Sequence, residues 1–322
     1  MEFRDFTAGK DDDGRRLDRV LRIFLKEKSL NEIYKLIRKG LIKVNQKKTK
    51  ADSHVAEGDL ISIAAFLFDS EKSEEKIPES KIKLNIIFEN QHLLIIDKPY
   101  GYSVHGSQNE NQISLEKEVS AYLQAKNEKP DEKSLSFKPG PLHRLDRNTT
   151  GLLAFSKSLE GAQWFSDCIK NHTIRKKYTG IAEGNLTDTE NWEDKLADSE
   201  ERDGGFYTVS KSEKGSLAIT TARPLAHGKL NGRDLTLVEY SIKTGRKHQI
   251  RAQSSLHGHS LAGDRSYGGK QCQELKREYY LHACSLTFPA DNPLELPQII
   301  KCPLPDDFIH LLECCEIKNP EL

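Results

Sequence analysis

The stretch that most constrains the fold is a charged cluster that leads directly into a short apolar segment. His143-Arg144-Leu145-Asp146-Arg147 places one carboxylate between two guanidinium groups, and a small polar run, 148–151, follows it. Residues 152–155 are apolar and short enough to form a buried strand. Such a strand would hold the charged groups at a rigid edge, where the arginines favour ionised Asp146. For an isolated cluster a structural Asp–Arg network would be the better interpretation, so the rest of the chain must decide.

Composition indicates a water-soluble protein of two domains. The chain has 322 residues, of which 30% are charged and 36% hydrophobic. Its start lacks the apolar core of a signal peptide, and its longest apolar stretch, 60–68, is too short to span a membrane. The six cysteines form no C-x-x-C pair and match no zinc module. We therefore expect a cytoplasmic protein with reduced thiols, no membrane contact and no metal.

The neutral net charge conceals a basic amino-terminal region. Residues 15–50 carry 13 Lys or Arg against 3 Asp or Glu, an excess that suits a polyanion. The apolar spacing predicts two helices, and Ser29 with Glu32 predicts a capping box for the second. A solvated basic face without a ligand is the alternative. The candidates for phosphate contacts are Lys35, Arg38, Lys39, Lys43, Lys47 and Lys48.

Residues 143–151 resemble the signature of the RluA-type pseudouridine synthases, His-Arg-Leu-Asp-Arg-x-Thr-Ser-Gly, with Thr150 in place of Ser. Four further stretches resemble that family in the expected order. Residues 243–251 match its Thr-Gly-Arg-Thr-His-Gln-Ile-Arg pattern with Lys247 in place of Thr. The basic region resembles the S4 RNA-binding domain. The other matching stretches are 98–106, 175–184 and 258–268.

The resemblance implies an α+β fold, with a mostly antiparallel mixed sheet that carries the active-site cleft and a small S4-like amino-terminal domain. It predicts the RNA-binding domain at 1–68, a linker at 69–81, where the chain is polar and lacks aromatic residues, and the catalytic domain at 82–322. It also implies a pseudouridine synthase that acts on structured RNA, preferably large-subunit ribosomal RNA, and we expect it to be a monomer.

The resemblance assigns roles to five residues. Asp146 is the essential catalytic residue, Tyr178 stacks on an extruded base, and Arg251 orients Asp146 through parallel hydrogen bonds. Arg144 fills the gap that the extruded uridine leaves. His143 positions the loop or contacts phosphate.

The reaction moves no electrons in or out, so no cofactor is expected, and the chain has no Walker loop and no dinucleotide-binding motif. The carboxylate could attack the sugar, attack the uracil ring or remove a proton from the sugar, and the sequence does not separate these routes.

Alternative functions are a synthase acting on tRNA, a catalytically silent RNA-binding or chaperone protein, and a small-substrate glycosidase. The glycosidase lacks a second carboxylate motif, and a silent protein has no need of Asp146, Tyr178 and Arg251 together.

The remaining expectations concern local structure. Residues 1–14 are predicted to be a mobile leading segment, and residues 185–235 surface loops and hairpins. Helices are predicted at 116–125 and 159–170, and a half-buried strand at 237–242.

Overall fold

The computed structural model describes two compact units, the first comprising Met1–Lys83, Glu116–Gly140 and Ser156–Ala162, the second Leu84–Leu115, Pro141–Phe155 and Gln163–Leu322. The described residues are 1–25, 28–71, 82–106, 113–126, 135–198 and 208–318. No helix in these ranges is long and apolar enough to cross a membrane. Most of the predicted linker, from residue 72 to 81, lies outside the described residues, and the domain boundaries stay a prediction.

The first unit is built on a four-stranded sheet in the order β1-β4-β2-β3. Its strands are β1 (Phe3–Thr7), β2 (Ile42–Val44), β3 (Lys47–Lys48) and β4 (Leu60–Ala64), and its helices are α1 (Leu17–Phe24), α2 (Leu30–Arg38) and α3 (Leu115–Ala125), of which α3 belongs to this unit from Glu116 onwards. Leu17, Val20 and Leu21 of α1 pack with Ile33 and Ile37 of α2 in one buried cluster.

The amino terminus of α2 confirms the predicted capping box. The Glu32 amide N–H donates to Ser29 Oγ, and the Ser29 amide N–H donates to Glu32 Oε2 over 2.7 Å. Both helices formed where the apolar spacing placed them, because their buried faces follow the i, i+3, i+4 pattern.

The prediction of a mobile segment at 1–14 was wrong. Residues 3–7 form β1, which pairs antiparallel with β4 from Phe3↔Ala64 to Thr7↔Leu60. Asp12, which lies in the segment predicted to be mobile, is fully buried. Its carboxylate accepts hydrogen bonds from the amides of Gly9 and Leu135 and from the Ser136 hydroxyl. A buried carboxylate with three donors fixes this segment, and two of those donors come from residues 135 and 136, far away in sequence.

The second unit contains a mostly antiparallel sheet of eleven strands among the described residues, in the order β11-β10-β12-β13-β9-β14-β8-β6-β5, with β15 on β14 and β7 on β8. β14 and β8 pair in parallel, so the predicted mixed sheet is confirmed. The strands are β5 (Asn85–Glu89), β6 (Leu93–Lys98), β7 (Gly140–Pro141), β8 (Thr150–Ser156), β9 (Arg175–Glu183), β10 (Glu190–Asp198), β11 (Val209–Lys211), β12 (Ser216–Leu230), β13 (Arg233–Ile242), β14 (Leu281–Thr287) and β15 (Ile299–Lys301).

Three further helices are α4 (Leu159–Lys170), α5 (Gln249–Leu256) and α6 (Asp306–Cys314). The predicted helices at 116–125 and 159–170 are confirmed by α3 and α4, and the predicted strand at 237–242 lies within β13. The apolar residues 152–155 are fully buried in β8, as the short apolar run predicted.

The prediction of loops at 185–235 was wrong except for its hairpins. β10, β11 and β12 occupy much of this range and pair antiparallel. In β10 the buried residues are Trp192, Asp194 and Leu196, alternating with exposed charged ones. The buried face of β12 includes the small residues Ala218, Thr220 and Ala222. Small and charged residues weaken the apolar alternation by which a strand is recognised.

Candidate active site

Asp146 lies on a cavity of about 500 Å³ in the second unit, whose lining also includes Arg144, Tyr178 and Arg251. The Asp146 side chain is 17% exposed, so its carboxylate is accessible from solvent but largely desolvated. A second cavity of about 300 Å³ shares Asp146, Arg144 and Arg251 with the first. The two cavities therefore meet at the predicted catalytic carboxylate.

The loop that carries Asp146 is held by a fully buried lysine at the end of β6. Lys98 Nζ donates to the carbonyl oxygens of Arg147 and Thr149, each over 2.8 Å, and of Pro99 over 3.0 Å. Arg147 Nε donates to the Gly101 carbonyl, and the Gly101 amide donates to the Arg147 carbonyl. Burial lowers the Lys98 pKa to about 7, partly opposed by the charge of Asp146. The chain around 98–101 thus fixes the backbone on both sides of Asp146.

A glycine fixes the strand that follows this loop. Gly151 has φ +102°, and a Cβ built there would lie 2.3 Å from the Ala283 carbonyl oxygen. Only glycine permits this approach, which sets the parallel pairing of β8 with β14. Thr150 beside it keeps a hydroxyl where the family pattern has serine. Its Oγ1 lies 2.8 Å from Nδ1 of the fully buried His282.

Arg251 lies near Asp146 but is held by a different carboxylate. Its Nη1 is 3.8 Å from Asp146 Oδ2, whereas Nε and Nη2 bond both oxygens of Asp264 over 2.6 and 2.8 Å. The expected pair of parallel bonds therefore goes to Asp264, and Arg251 presents only its third nitrogen to Asp146. Burial alone would lower the pKa of Arg251, but the hydrogen bonds and charge of Asp264 raise it above its ordinary value.

Aromatic rings complete the support of Arg251. The Tyr279 ring centroid lies 4.4 Å from the guanidinium carbon and that of Tyr267 lies 4.8 Å from it. These contacts stabilise a buried cation. Arg251 is therefore fixed by Asp264 and two rings before any substrate binds.

His248 approaches Asp146 from the amino-terminal end of α5. It adopts a left-handed backbone conformation, with φ 51°, and its Nε2 lies 4.0 Å from Asp146 Oδ1. Nδ1 lies 2.9 Å from the Tyr267 hydroxyl, which accepts the Val209 amide N–H over 2.7 Å. This contact with Tyr267 fixes the orientation of the imidazole ring and leaves Nε2 facing Asp146. Burial lowers the pKa of His248 to about 4, so the ring is neutral at pH 7.

Tyr178 lies on β9 and is 7% exposed. It stands opposite Tyr240 of β13 and Ala283 of β14 in the sheet. Burial first, and then the charge of Asp146, raise its pKa well above the ordinary value, so the phenol stays neutral. Its place in the lining of the larger cavity allows the predicted contact with a base.

His143 and Arg144 have different surroundings, which suit them to different roles. His143 Nε2 accepts the Ala154 amide N–H over 3.1 Å, and its ring stacks on Phe165 with centroids 6.0 Å apart. Burial and the neighbouring Lys176 lower its pKa to about 3, so His143 is neutral and engaged by the backbone of β8. Arg144 is exposed and lines both cavities, which leaves it free to reach RNA.

The predicted phosphate contacts in the first unit lie mainly on its surface. Lys35, Arg38 and Lys39 are exposed on and just after α2, and Lys47 and Lys48 are exposed on β3. Lys43 is only half-buried, with its ammonium 4.4 Å from the centre of the Phe3 ring. The structure thus presents most of these cations to solvent.

Comparison with known proteins agrees with the site. Residues 92–256, just over half of the chain, match the family model described as RNA pseudouridylate synthase. The chain belongs to this family. Residues 15–61 match the S4 domain model, which confirms the predicted RNA-binding domain. Members of the family isomerise uridine to pseudouridine in RNA.

Relatives and solved structures extend the match. The uncharacterized RNA pseudouridine synthase YlyB of Bacillus subtilis is 27% identical over 96% of this chain and 97% of its own length. The ribosomal large subunit pseudouridine synthase C of Haemophilus influenzae is 29% identical over 88% of this chain and 86% of its own. The structure of human RNA pseudouridylate synthase domain containing 4 superposes with a TM-score of 0.57 at 23% identity, covering 74% of this chain and 95% of that one. That last likeness supports the fold.

Several residues of this RNA pseudouridylate synthase escaped the sequence analysis. Lys98 lies in the matching stretch 98–106 but received no role, although a lysine that ends the apolar strand 93–96 was a signal of a buried cation. Asp264 and Tyr267 lie in the matching stretch 258–268 and His248 in 243–251, but none of the three received a role. Their importance depends on contacts with Arg251 and Asp146, which lie far away in sequence, so no local pattern could have revealed it.

Proposed function

We propose that this chain converts specific uridines of large-subunit ribosomal RNA to pseudouridine, with Asp146 as the only catalytic carboxylate and without a cofactor. The observation that carries the proposal is the position of Asp146, 17% exposed where two cavities meet, with Arg251 Nη1 3.8 Å from its carboxylate. The large-subunit target is supported by the basic S4 domain and by the names of relatives such as the Haemophilus influenzae protein.

Each lining residue then has a defined task. A stacked uridine must leave the RNA helix before its glycosidic bond can be reached. Arg144, exposed at the rim of both cavities, is long enough to occupy the vacated position. The extruded base enters the larger cavity and stacks on Tyr178. Arg251, fixed by Asp264, holds its third nitrogen 3.8 Å from the Asp146 carboxylate, so a positive charge faces the reacting group.

The geometry suits one carboxylate acting alone. Pre-organised charges near a desolvated group stabilise charge that develops in a transition state without having to reorganise. Asp146 faces Arg251 on one oxygen and Nε2 of neutral His248 on the other, at 3.8 and 4.0 Å. Both distances leave room for the carboxylate to move towards the sugar or the base.

The experiment compares pseudouridine maps of both ribosomal RNA and tRNA from cells that lack the gene and carry the unaltered protein, Asp146→Asn or Asp167→Asn. Asp167 is an exposed carboxylate of α4 that does not line either cavity. The unaltered protein and Asp167→Asn should restore the same large-subunit positions, and Asp146→Asn should restore none. Restoration by Asp146→Asn would refute the catalytic role, and modification confined to tRNA would refute the ribosomal target.

A further inference from the structure

A lysine whose side chain is largely buried and whose ammonium has no acceptor among the described residues lines the larger cavity. Lys176 is 8% exposed and lies on the same face of β9 as Tyr178, two residues away. Both residues line the cavity that contains Asp146. Within the described ranges, no carboxylate or hydrogen-bond acceptor lies within bonding distance of Lys176 Nζ. An unpaired charge on a largely buried side chain is costly, and burial lowers the pKa of Lys176 below its ordinary value.

Two other lysines of this unit, unlike Lys176, have partners for their ammonium groups. Lys98 donates to three carbonyl oxygens. Lys177, on the opposite face of β9, lies 3.1 Å from Glu239 with 42% of its side chain exposed. Lys176 has neither arrangement, so its charge has a partner only when something enters the cavity.

In the neighbouring segment that the structure describes, no side chain covers the ammonium of Lys176. A Cβ added to Gly245 would lie 3.3 Å from Lys176 Nζ, so the segment after β13 passes close without a side chain to cover the ammonium. The other basic neighbour, His143, is neutral because its Nε2 accepts the Ala154 amide. Lys176 is therefore the charged member of this pair.

We propose that Lys176 is a further catalytic residue, whose ammonium contacts the uracil ring of the extruded nucleotide and stabilises the negative charge that the ring acquires when its glycosidic bond breaks. The inference rests on the proposed function. It assigns the cavity next to Tyr178 to the base, and it gives the unpaired ammonium a partner that exists only during the reaction.

The electron balance shows why the ring needs a cation. When Asp146 displaces uracil from C1′, or takes a proton from C2′, the N1–C1′ electron pair stays on the ring and spreads over N1, O2 and O4. The ring carries one negative charge until C5 bonds to C1′ with that pair; the carboxylate is then released, or its proton returns to C2′. C5 finally loses a proton and N1 gains one. A fixed ammonium stabilises the charged interval without reorganisation.

The test compares Lys176→Met with Lys177→Met on an in vitro transcript of the large-subunit ribosomal RNA. Methionine has nearly the length of lysine and removes the charge, and in the control Glu239 keeps its contact with Arg223 at 3.1 Å. Under single-turnover conditions Lys176→Met should slow pseudouridine formation by about 10²–10³, the loss seen when one oxyanion donor is removed. Its RNA affinity should stay within about twofold of the unaltered protein, and Lys177→Met should change neither.

A leaving-group test separates this role from a structural one. Fluorine at C5 withdraws electrons and makes the uracil anion more stable, so a target 5-fluorouridine needs the ammonium less. The deficit of Lys176→Met, measured as loss of the target nucleoside after digestion, should shrink by about tenfold on that RNA. Should Lys176→Met fail to fold, Lys176→Gln serves in the same comparison.

The contrary results are distinct. Weaker RNA binding with an unchanged single-turnover rate would place Lys176 on a phosphate and overturn the inference, as would an equal deficit on both RNAs. A rate equal to that of Lys177→Met would also overturn it, while leaving the proposed function intact. Absence of turnover by the unaltered protein would instead refute the proposed function on which the inference rests.

Discussion

Replacing Lys98 by methionine tests whether one buried ammonium holds the loop that carries Asp146. Lys98 is fully buried, and its Nζ donates to the carbonyl oxygens of Arg147, Thr149 and Pro99 at 2.8, 2.8 and 3.0 Å. Methionine has nearly the same length but no donor. The substitution therefore releases the loop backbone without leaving a large hole.

Two opposing free-energy terms decide the effect on stability. A buried acceptor left without a donor costs about 1–3 kcal/mol, so three of them cost about 3–9 kcal/mol. Against this, burial lowers the Lys98 pKa from 10.5 to about 7, which corresponds to about 5 kcal/mol for the charged form. Methionine removes that cost. The free energy of unfolding should therefore change by no more than about 4 kcal/mol, and the protein should remain folded.

Catalysis should respond more strongly than stability. A misplacement of about 1 Å at a reacting group can cost about 100-fold in rate, and Asp146 lies one residue before the released carbonyl of Arg147. Single-turnover pseudouridine formation should fall by about that factor, with denaturant unfolding and RNA affinity as parallel measurements. Lys301→Met, an exposed lysine of β15, is the control. An active Lys98→Met protein would refute the anchoring role, and an unfolded one would refute the balance of terms.

Three other predictions address the fold, the RNA-binding domain and pH. Gly151→Ala should lower the free energy of unfolding by about 4 kcal/mol or more, because its Cβ would meet the Ala283 carbonyl; Gly232→Ala, with positive φ but open space, should cost only about 1 kcal/mol in the same denaturant titration. Changing Lys35, Arg38 and Lys39 to Gln should weaken RNA binding and reduce the slope of log K against log salt by about 2, and an unchanged slope would contradict phosphate contacts. Between pH 7 and 10.5 the unfolded chain keeps the Lys98 proton and the folded one loses it, so stability should rise with pH across this window, and Lys98→Met should flatten the rise.

The sequence predicted those parts of the fold that depend on local pattern. The capping box of Ser29 and Glu32 and the buried run 152–155 formed as expected, because each is determined by residues a few positions apart. The strand at 3–7 and the buried state of Asp12 were missed, because the partners of both are distant. β1 needs β4 as its neighbour, and Asp12 needs donors from residues 135 and 136.

In the candidate site too, the sequence predicted some features and missed others. Asp146, Tyr178 and Arg251 came from motif resemblance, and the structure brings all three to one cavity, although their roles stay a prediction. The partner of Arg251 was misjudged, because residue type alone cannot tell which of two carboxylates takes a bidentate bond. Only the folded chain shows that Asp264 does so and that Asp146 is left at 3.8 Å.

That division of labour between two carboxylates has a physical reason. A carboxylate locked in two short hydrogen bonds to arginine is stabilised as an anion and directed by that partner, so it is a poor reactant. Asp264 takes this position and is 1% exposed. Asp146 lies near the same guanidinium but at 3.8 Å, which is close enough for electrostatic attraction and too far for a short hydrogen bond. The site can thus keep Arg251 rigid and leave Asp146 free to form and break a bond. If Asp264 were neutralised, Arg251 could form its two parallel hydrogen bonds with Asp146 instead. Because that stronger ion pair would restrain the reacting carboxylate, the reaction should become slower.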